Sequence, residues 1–393
     1  MRILYLGSFR LPHGDAASAR VLNVAKSLRF LGNDVSFISW GGKNNPDEEG
    51  ADAVCRVDGF PFQVTNEIDF QGSIINKTKA WLLQGNKTKK LLRETYGEYD
   101  VVISYNCSII GWLKRFCKKH HLFLISDLTE WYALKELSII GIPGYLWKMK
   151  VLQKRVPNKI VISSFLNNYY HDTHNIIIPA TCDATDEKWK QGDAFAIEKV
   201  GAFDGKTLVY AGTPGRKDAI HIAINSIQLL IEEGHRIRLI IVGITRESYL
   251  CKYKGYLHKP ILSEWIQFVE KVPQQQVPSF YELADFMILL RKPTRKSTAG
   301  FPTKFTESFI SGTPVIANLT SDIGLYLIDG ETGFVVQAPN EEAFSQVIKE
   351  KVIPLGKADI EAMKQNVLSK AQVFDYHSYS KSLSQYMDEL KMI

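Results

Sequence analysis

Cysteine is scarce in this sequence and has no pattern. Five residues of 393 are cysteine, at 55, 107, 117, 182 and 251, without a CxxC or a zinc-type spacing. An odd, scattered set argues against a disulfide framework or a thiolate metal site, and reads as buried free thiols. Long apolar runs are also missing. None reaches the ~18–20 residues that a membrane-spanning helix needs. The opening MRILYLG carries one charge and a short apolar run before a polar stretch, so no secretory leader is expected. There is no GxGxxG, which removes the usual dinucleotide-binding turn. No acidic DxD-type cluster stands in a loop after a strand, and there is neither an internal repeat nor a low-complexity tract.

Apolar residues make up 45% of the chain and aromatics 11%, enough for packed cores and too much for a disordered chain. The length suits two domains. Net charge is +6, but residues 77–159 alone hold 16 basic and 6 acidic side chains. A field of that sign draws polyanions or anionic lipid. Its basic residues follow no nucleic-acid-binding motif.

Short β-branched runs alternate with helical periods in both halves, which reads as α/β with parallel sheets. In the first half, strands are expected at 2–6, 34–40, 101–104, 122–126, 159–162 and 176–178. In the second they are expected at 207–211, 238–242, 265–269, 286–290, 314–317 and 333–336. The expected domains are 1–185 and 205–372, joined by a polar linker at 186–204 and followed by an amphipathic helix at 373–393 that crosses back to the first domain. Ligands of open α/β sheets sit in loops after strands, so the chemistry is expected there and in a cleft between the domains.

Four such segments stand out. In GSFRLPHGDAASAR (7–20), Gly14 precedes a helix with a small-residue first turn, where a ligand could reach free N–H groups. A plain strand–loop–helix turn is the simpler reading. In YAGTPGRKD (210–218), Gly212 and Thr213 end a strand, and Arg216 and Lys217 place two cations before a helix, as a diphosphate would require. In residues 290–317, Arg291 closes a strand, and Gly300-Phe301-Pro302-Thr303-Lys304 opens a helix carrying Glu307. A carboxylate there could accept hydrogen bonds from vicinal hydroxyls, or it could be a surface glutamate. In ISDLTEWY (125–132), Asp127 and Glu130 beside Trp131 and Tyr132 suit sugar binding. Alternatively, Asp127 caps a helix and Trp131 lies in the core.

Taken together, the GTPGRKD turn, the GFPTKFTESFISGTPVI block and the following DGETGFVV resemble the retaining GT-B glycosyltransferases of glycosyltransferase family 4. The resemblance spans the chain and is closest to bacterial members that build capsule, O-antigen and exopolysaccharide. It implies a GT-B fold of two Rossmann-like domains, with an acceptor-binding first domain and a nucleotide-sugar-binding second domain. The second glutamate of the family's Glu-x7-Glu pattern matches Glu307, whose implied role is to hold the ribose. Ala299 stands where the first would be, which the resemblance reads as altered donor selection. Lys217 matches the family's phosphate-binding lysine, Thr213 stands where its arginine often sits, and Arg216 or Arg291 supplies that charge. Asp127 and Glu130 occupy the place of the family's acceptor-domain histidine.

The implied reaction moves a sugar from a nucleoside diphosphate, UDP favoured, to a glycan or polyprenyl-diphosphate-linked acceptor with retained anomeric configuration. Attack comes from the face that the diphosphate leaves, and the departing phosphate takes the acceptor proton. Lys217, Arg216, helix N-termini and loop amides would stabilise the leaving group, so neither a metal nor another cofactor is expected. The basic segment, with Trp81, Leu82, Leu83, Trp112 and Trp147, would seat the first domain on the inner face of the cytoplasmic membrane. Two alternatives remain at this point: a nucleotide-sugar 2-epimerase on the same architecture, and a non-catalytic binding partner of a transferase.

Overall fold

The computed structural model describes residues 1–12, 15–43, 55–68, 83–134, 137, 141–215 and 217–391. Gly14, Arg216, Trp81 and Leu82 lie outside the described residues. The chain divides into two compact units, Met1–Thr181 with Tyr376–Ile393, and Cys182–Asp375.

The first unit is built on a sheet of order β3-β4-β2-β1-β5-β6-β7-β8. Its strands are β1 (Arg2–Leu11), β2 (Asp34–Gly42), β3 (Arg56–Val57), β4 (Phe60–Val64), β5 (Val101–Tyr105), β6 (Phe123–Leu128), β7 (Asn158–Val161) and β8 (His174–Ile177). All neighbours pair in parallel except β3 with β4, a short hairpin that the sequence reading passed over. Alternate β1 residues feed two cores, as strand geometry requires. Ile3 and Tyr5 pack with Val21, Phe37 and Ile103, whereas Leu4 and Leu6 pack with Ile38, Trp40 and Leu113.

β1 runs five residues past its expected end. The polar look of 7–11 misleads, because Phe9 and Leu11 are fully buried. Gly7 makes the passage workable: its φ is +142°, and a Cβ there would stand 2.1 Å from the carbonyl oxygen of Tyr105 on β5. Only glycine takes that conformation and that approach. Helix Ser380–Leu390 supplies Leu383, Tyr386, Met387 and Leu390 to the β1 core.

The second unit has β9 (Lys206–Ala211), β10 (Ile237–Val242), β11 (Ile266–Val269), β12 (Phe286–Leu289), β13 (Val315–Ala317) and β14 (Gly333–Val335). They form an all-parallel sheet of order β11-β10-β9-β12-β13-β14. Chain order reverses between β9 and β12, which makes their carboxyl ends the topological switch point where α/β ligands bind. Residues 186–204, expected as a linker, belong to this unit. Helix Ala194–Val200 packs on helix Val277–Leu283, with the Ala196 N–H donating to Ser279 Oγ at 3.0 Å. Among the described residues, no helix is long and apolar enough to cross a membrane.

Candidate functional site

The switch point of the second unit gathers most of the expected residues. Gly212 directly follows β9 with φ +114°. A Cβ on it would lie 2.7 Å from Lys304 Cε and 3.1 Å from Lys304 Nζ, so the glycine makes room for the lysine. The ammonium also sits 5.1 Å from the ring centroid of Tyr210, the fully buried tyrosine near the end of β9.

The turn after Gly212 is tightly fastened. Thr213 Oγ1 donates to the Gly243 carbonyl at 3.0 Å, and Tyr253 Oη donates to the Pro214 carbonyl at 3.1 Å. The Gly215 N–H donates to Asp218 Oδ2 at 3.0 Å. Asp218 and Arg291 form an antiparallel bridge. The Lys292 N–H donates to the Lys217 carbonyl at 3.0 Å, and the Ala219 N–H to the Leu290 carbonyl at 2.9 Å. The loops after β9 and β12 are thereby joined side by side. The Arg291 side chain, 4% exposed, pairs with Asp218, 2% exposed, with Nε to Oδ1 at 3.5 Å. Arg291 was expected to contact a ligand; instead its guanidinium is enclosed against the carboxylate. Lys217 is half-buried in the same turn.

Two helix N-termini reach this place without a side-chain cap. Helix Ile220–Glu232 starts after Ala219, and helix Thr303–Ile310 after Pro302. Their first N–H groups and positive dipole ends are suited to an anion. Gly300 closes the short helix Arg295–Ala299, its N–H donating to the Lys296 carbonyl at 3.2 Å. Phe301 and Pro302 are buried. The Phe301 ring packs with Phe305, Tyr326 and Phe374, so this pair offers a ligand backbone rather than side chains. Thr303 is partly exposed at the helix start, whereas Ala299 is fully buried.

Glu307 follows Lys304 by one helical turn, which puts both side chains on one face. Tyr281 Oη donates to Glu307 Oε2 at 3.3 Å. Burial pushes the Glu307 carboxyl above its ordinary value, against the pull of Lys304, Lys188 and the Tyr281 hydroxyl. Burial likewise lowers the Lys304 ammonium, while Asp218 and Glu307 support its charge and Arg291 opposes it. Asp218 itself is held below the usual carboxylate range: burial acts against this, but Lys304 and Arg291 outweigh it. The sequence reading missed Asp218 and Tyr281. Asp218 passes for a routine helix-start aspartate, and nothing in YELAD marks the tyrosine.

In the first unit the structure corrects the expectation for Asp127. Asp127 is 0% exposed and sits opposite Arg20, 3% exposed, with Nη2 to Oδ1 at 3.2 Å. Its Oδ2 accepts from the Tyr5 hydroxyl and from Arg20 Nε. Arg20 Nη1 also donates to the carbonyls of Ile178 at 2.6 Å and Pro179 at 2.5 Å. Asp127 therefore ties β1, β6 and helix Ala16–Phe30 together from a fully buried position. The start of that helix carries a capping box: Asp15 accepts from the Ser18 N–H at 2.9 Å, and Ser18 Oγ accepts from the Asp15 N–H at 3.0 Å. Glu130 is partly exposed just past β6, beside Tyr132, whose hydroxyl it helps push up along with burial. Trp131 is core, edge-on to Tyr169 at 4.5 Å.

Eight of the sixteen cations of the basic segment stand on two helices, Asn86–Thr95 and Ile110–Lys119. Arg93 lies over the Trp112 ring at 5.4 Å, and Trp112 stacks on Phe116 at 4.6 Å. Trp112 is thus only partly exposed, whereas Trp147 and Leu83 are exposed.

Comparison with known proteins gives one family match and several likenesses of fold. Residues 195–353, within the second unit, match the family described as Glycosyl transferases group 1. The D-inositol 3-phosphate glycosyltransferase of Streptomyces avermitilis is 23% identical over 154 residues, 37% of this chain. That match spans only 32% of the relative's length. Among solved structures, sucrose-phosphate synthase from Thermosynechococcus elongatus has a TM-score of 0.74 at 15% identity, covering 100% of both chains. Anabaena HepE in complex with UDP has a TM-score of 0.70 at 14% identity, covering 99% of this chain and 100% of that one. The UDP-forming α,α-trehalose-phosphate synthase of Burkholderia xenovorans, in complex with glucose-6-phosphate, has a TM-score of 0.72 at 8% identity, covering 98% and 100%. At such identities these structures show the fold, which is the GT-B architecture of two Rossmann-like domains. The domain match and the glycosyltransferases among the relatives support a glycosyltransferase.

Proposed function

We propose that the chain is a retaining glycosyltransferase of family 4, taking a sugar from a nucleoside diphosphate held at the switch point of its second unit. One observation carries this reading: Lys304 and Glu307 lie one turn apart on a helix whose N-terminus meets the end of β9. Three residues rise about 4.5 Å, and the two long side chains extend that to the reach from the ribose hydroxyls of a nucleotide to its diphosphate. Glu307 Oε1 has no hydrogen-bond partner among the described residues and can accept from the ribose. Lys304, Lys217 and the uncapped N–H groups meet the diphosphate, with Gly212, Thr213 and Gly300 to Thr303 as its walls.

The barrier is cleavage of the bond between the anomeric carbon and the diphosphate oxygen. Negative charge then grows on the leaving oxygen, where fixed cations and N–H dipoles stabilise it without reorganising. The acceptor hydroxyl attacks from the same face, and its proton passes to the departing phosphate. No protein base is needed, and the side-chain cations take the place of a divalent ion. UDP is the favoured carrier; relatives of this fold are seen with UDP and with UDP-glucose.

The acceptor fits the first unit. Its paired cationic helices, with Leu83 and Trp147 exposed, suit a polyprenyl-diphosphate-linked sugar at an anionic membrane face, as in bacterial capsule or O-antigen synthesis. The test is incubation of the purified chain with labelled UDP- and GDP-sugars, with and without lipid-linked acceptors. Label transferred to a lipid-linked acceptor, reduced by Lys217→Ala, supports the reading. Conversion of the donor to its epimer without acceptor, or no turnover of any donor, overturns it.

A further inference from the structure

The turn that carries Lys217 has a glycine at its start, and glycine leaves a chain more freedom than any other residue. Its fixed shape comes from Asp218. The Gly215 N–H donates to Asp218 Oδ2 at 3.0 Å, and the Asp218 N–H donates to the Gly215 carbonyl at 3.1 Å. Asp218 is gripped in turn by Arg291. Their side chains form an enclosed ion pair, Nε to Oδ1 at 3.5 Å, and their backbones form the antiparallel bridge. On either side of that bridge the Lys217 and Leu290 carbonyls accept from the Lys292 and Ala219 N–H groups.

Arg291 is itself fixed from the next strand. Its N–H donates to Asn318 Oδ1 at 2.7 Å, and Asn318 Nδ2 donates to its carbonyl at 2.9 Å. Asn318 directly follows β13 and is 4% exposed. Its side chain reproduces one step of strand pairing where the strands themselves have ended. The loops after β13, β12 and β9 thus form one run of contacts, Asn318 to Arg291 to Asp218 to Gly215, which ends on the turn of Lys217.

A buried ion pair is poor evidence for stability, because an apolar pair of similar size often serves as well. Stabilising a leaving group, by contrast, depends on charges and N–H groups that are already in place. Resting on the reading above, we propose that Arg291 is a positioning residue: acting through Asp218, it holds the turn of Lys217 in place for the departing diphosphate and does not itself touch the ligand. Its enclosure against the carboxylate takes it out of the set of cations that meet the phosphates.

The test is calorimetric titration of UDP and GDP onto the full chain, well below its melting temperature and at several salt concentrations. The matching nucleoside is followed in parallel by thermal shift. Arg291→Met and Asp218→Asn are each expected to weaken the diphosphate by about 10- to 100-fold, the size of a misplacement near 1 Å, and to leave the nucleoside unchanged. The double variant is expected to lose no more than either single one, because both break the same link. The salt dependence of UDP binding should keep its slope in Arg291→Met, because no cation that meets the ligand has been removed.

A folded Arg291→Met with unaltered UDP and GDP affinity, or with equal losses of diphosphate and nucleoside, means a purely structural arginine and overturns the inference. So does a loss that adds to that of Asp218→Asn or flattens the salt dependence, which means that Arg291 meets the diphosphate directly. If the single variants do not fold, the double variant, which leaves no uncompensated charge, takes their place. Weakened diphosphate with unchanged nucleoside and unchanged salt slope then supports the inference, and any other result overturns it. These failures leave the functional reading standing. A wild-type chain that binds neither UDP nor GDP overturns that reading, and this inference with it.

Discussion

Tyr281 Oη donates to Glu307 Oε2 at 3.3 Å, so the carboxylate proposed to hold the ribose is itself held from behind. Burial raises the Glu307 carboxyl, and the tyrosine hydroxyl, Lys304 and Lys188 work to keep it ionised. Only the ionised form offers both oxygens as acceptors. Donor binding should therefore weaken as pH falls through a value above that of an ordinary glutamate. In Tyr281→Phe this acid limb should move to still higher pH. Glu307→Gln should cost about 1.5–3 kcal/mol of donor binding. The check is donor KM against pH for the three proteins.

The Arg20–Asp127 pair makes the opposite kind of prediction. Both groups are enclosed, so Asp127→Ala leaves a buried guanidinium without its counter-ion. Breaking such a pair from one side costs about 3–5 kcal/mol. Thermal unfolding should show a large loss for Asp127→Ala. Glu130→Gln should unfold like the wild type, because Glu130 is partly exposed and outside that network. A stable, inactive Asp127→Ala would restore the aspartate to the acceptor site.

In the proposed reaction side-chain cations meet the diphosphate, so transfer should survive chelation. Rates measured with EDTA and with added magnesium or manganese should agree. A rate that collapses in EDTA and returns with a divalent ion would show that side-chain cations do not suffice.

The two cationic helices predict salt-sensitive adhesion. Reversing Lys114, Arg115, Lys118 and Lys119 to glutamate should abolish co-sedimentation with vesicles containing anionic lipid. Each cation near such a surface is worth about 1 kcal/mol. Wild-type binding should fade as salt shortens the reach of the field. Wild-type chain left in the supernatant at low salt would sink the membrane assignment.

Much of the fold could be read from the sequence because buried parallel strands announce themselves. LVYA before Gly212 and LIIV before Gly243 are unbroken apolar runs with turn residues behind them, and the switch point follows from their order. The extension of β1 could not be read, since Gly7, Ser8 and Arg10 look like a loop until β5 is seen pressing on Gly7. The site was legible where motif and geometry coincide, at Gly212, Lys304 and Glu307. It was illegible where a residue acts through a partner distant in sequence. Asp127 looked like a sugar ligand because its partners, Tyr5 and Arg20, lie more than a hundred positions away. Asp218 needed Arg291, more than seventy positions on, to show its pairing.

The β1 core of the first unit is completed by Leu383, Tyr386, Met387 and Leu390, which lie beyond the whole second unit in the chain. This fixes an order of events during synthesis. The second unit is continuous and can close on itself as it leaves the ribosome. The first, although made earlier, must wait with an open apolar face while roughly 190 residues are added. At about 5–20 residues per second that wait lasts on the order of ten to forty seconds. Nascent chains should therefore depend on chaperones through their first half, and the N-terminal unit expressed without its distant helix should aggregate.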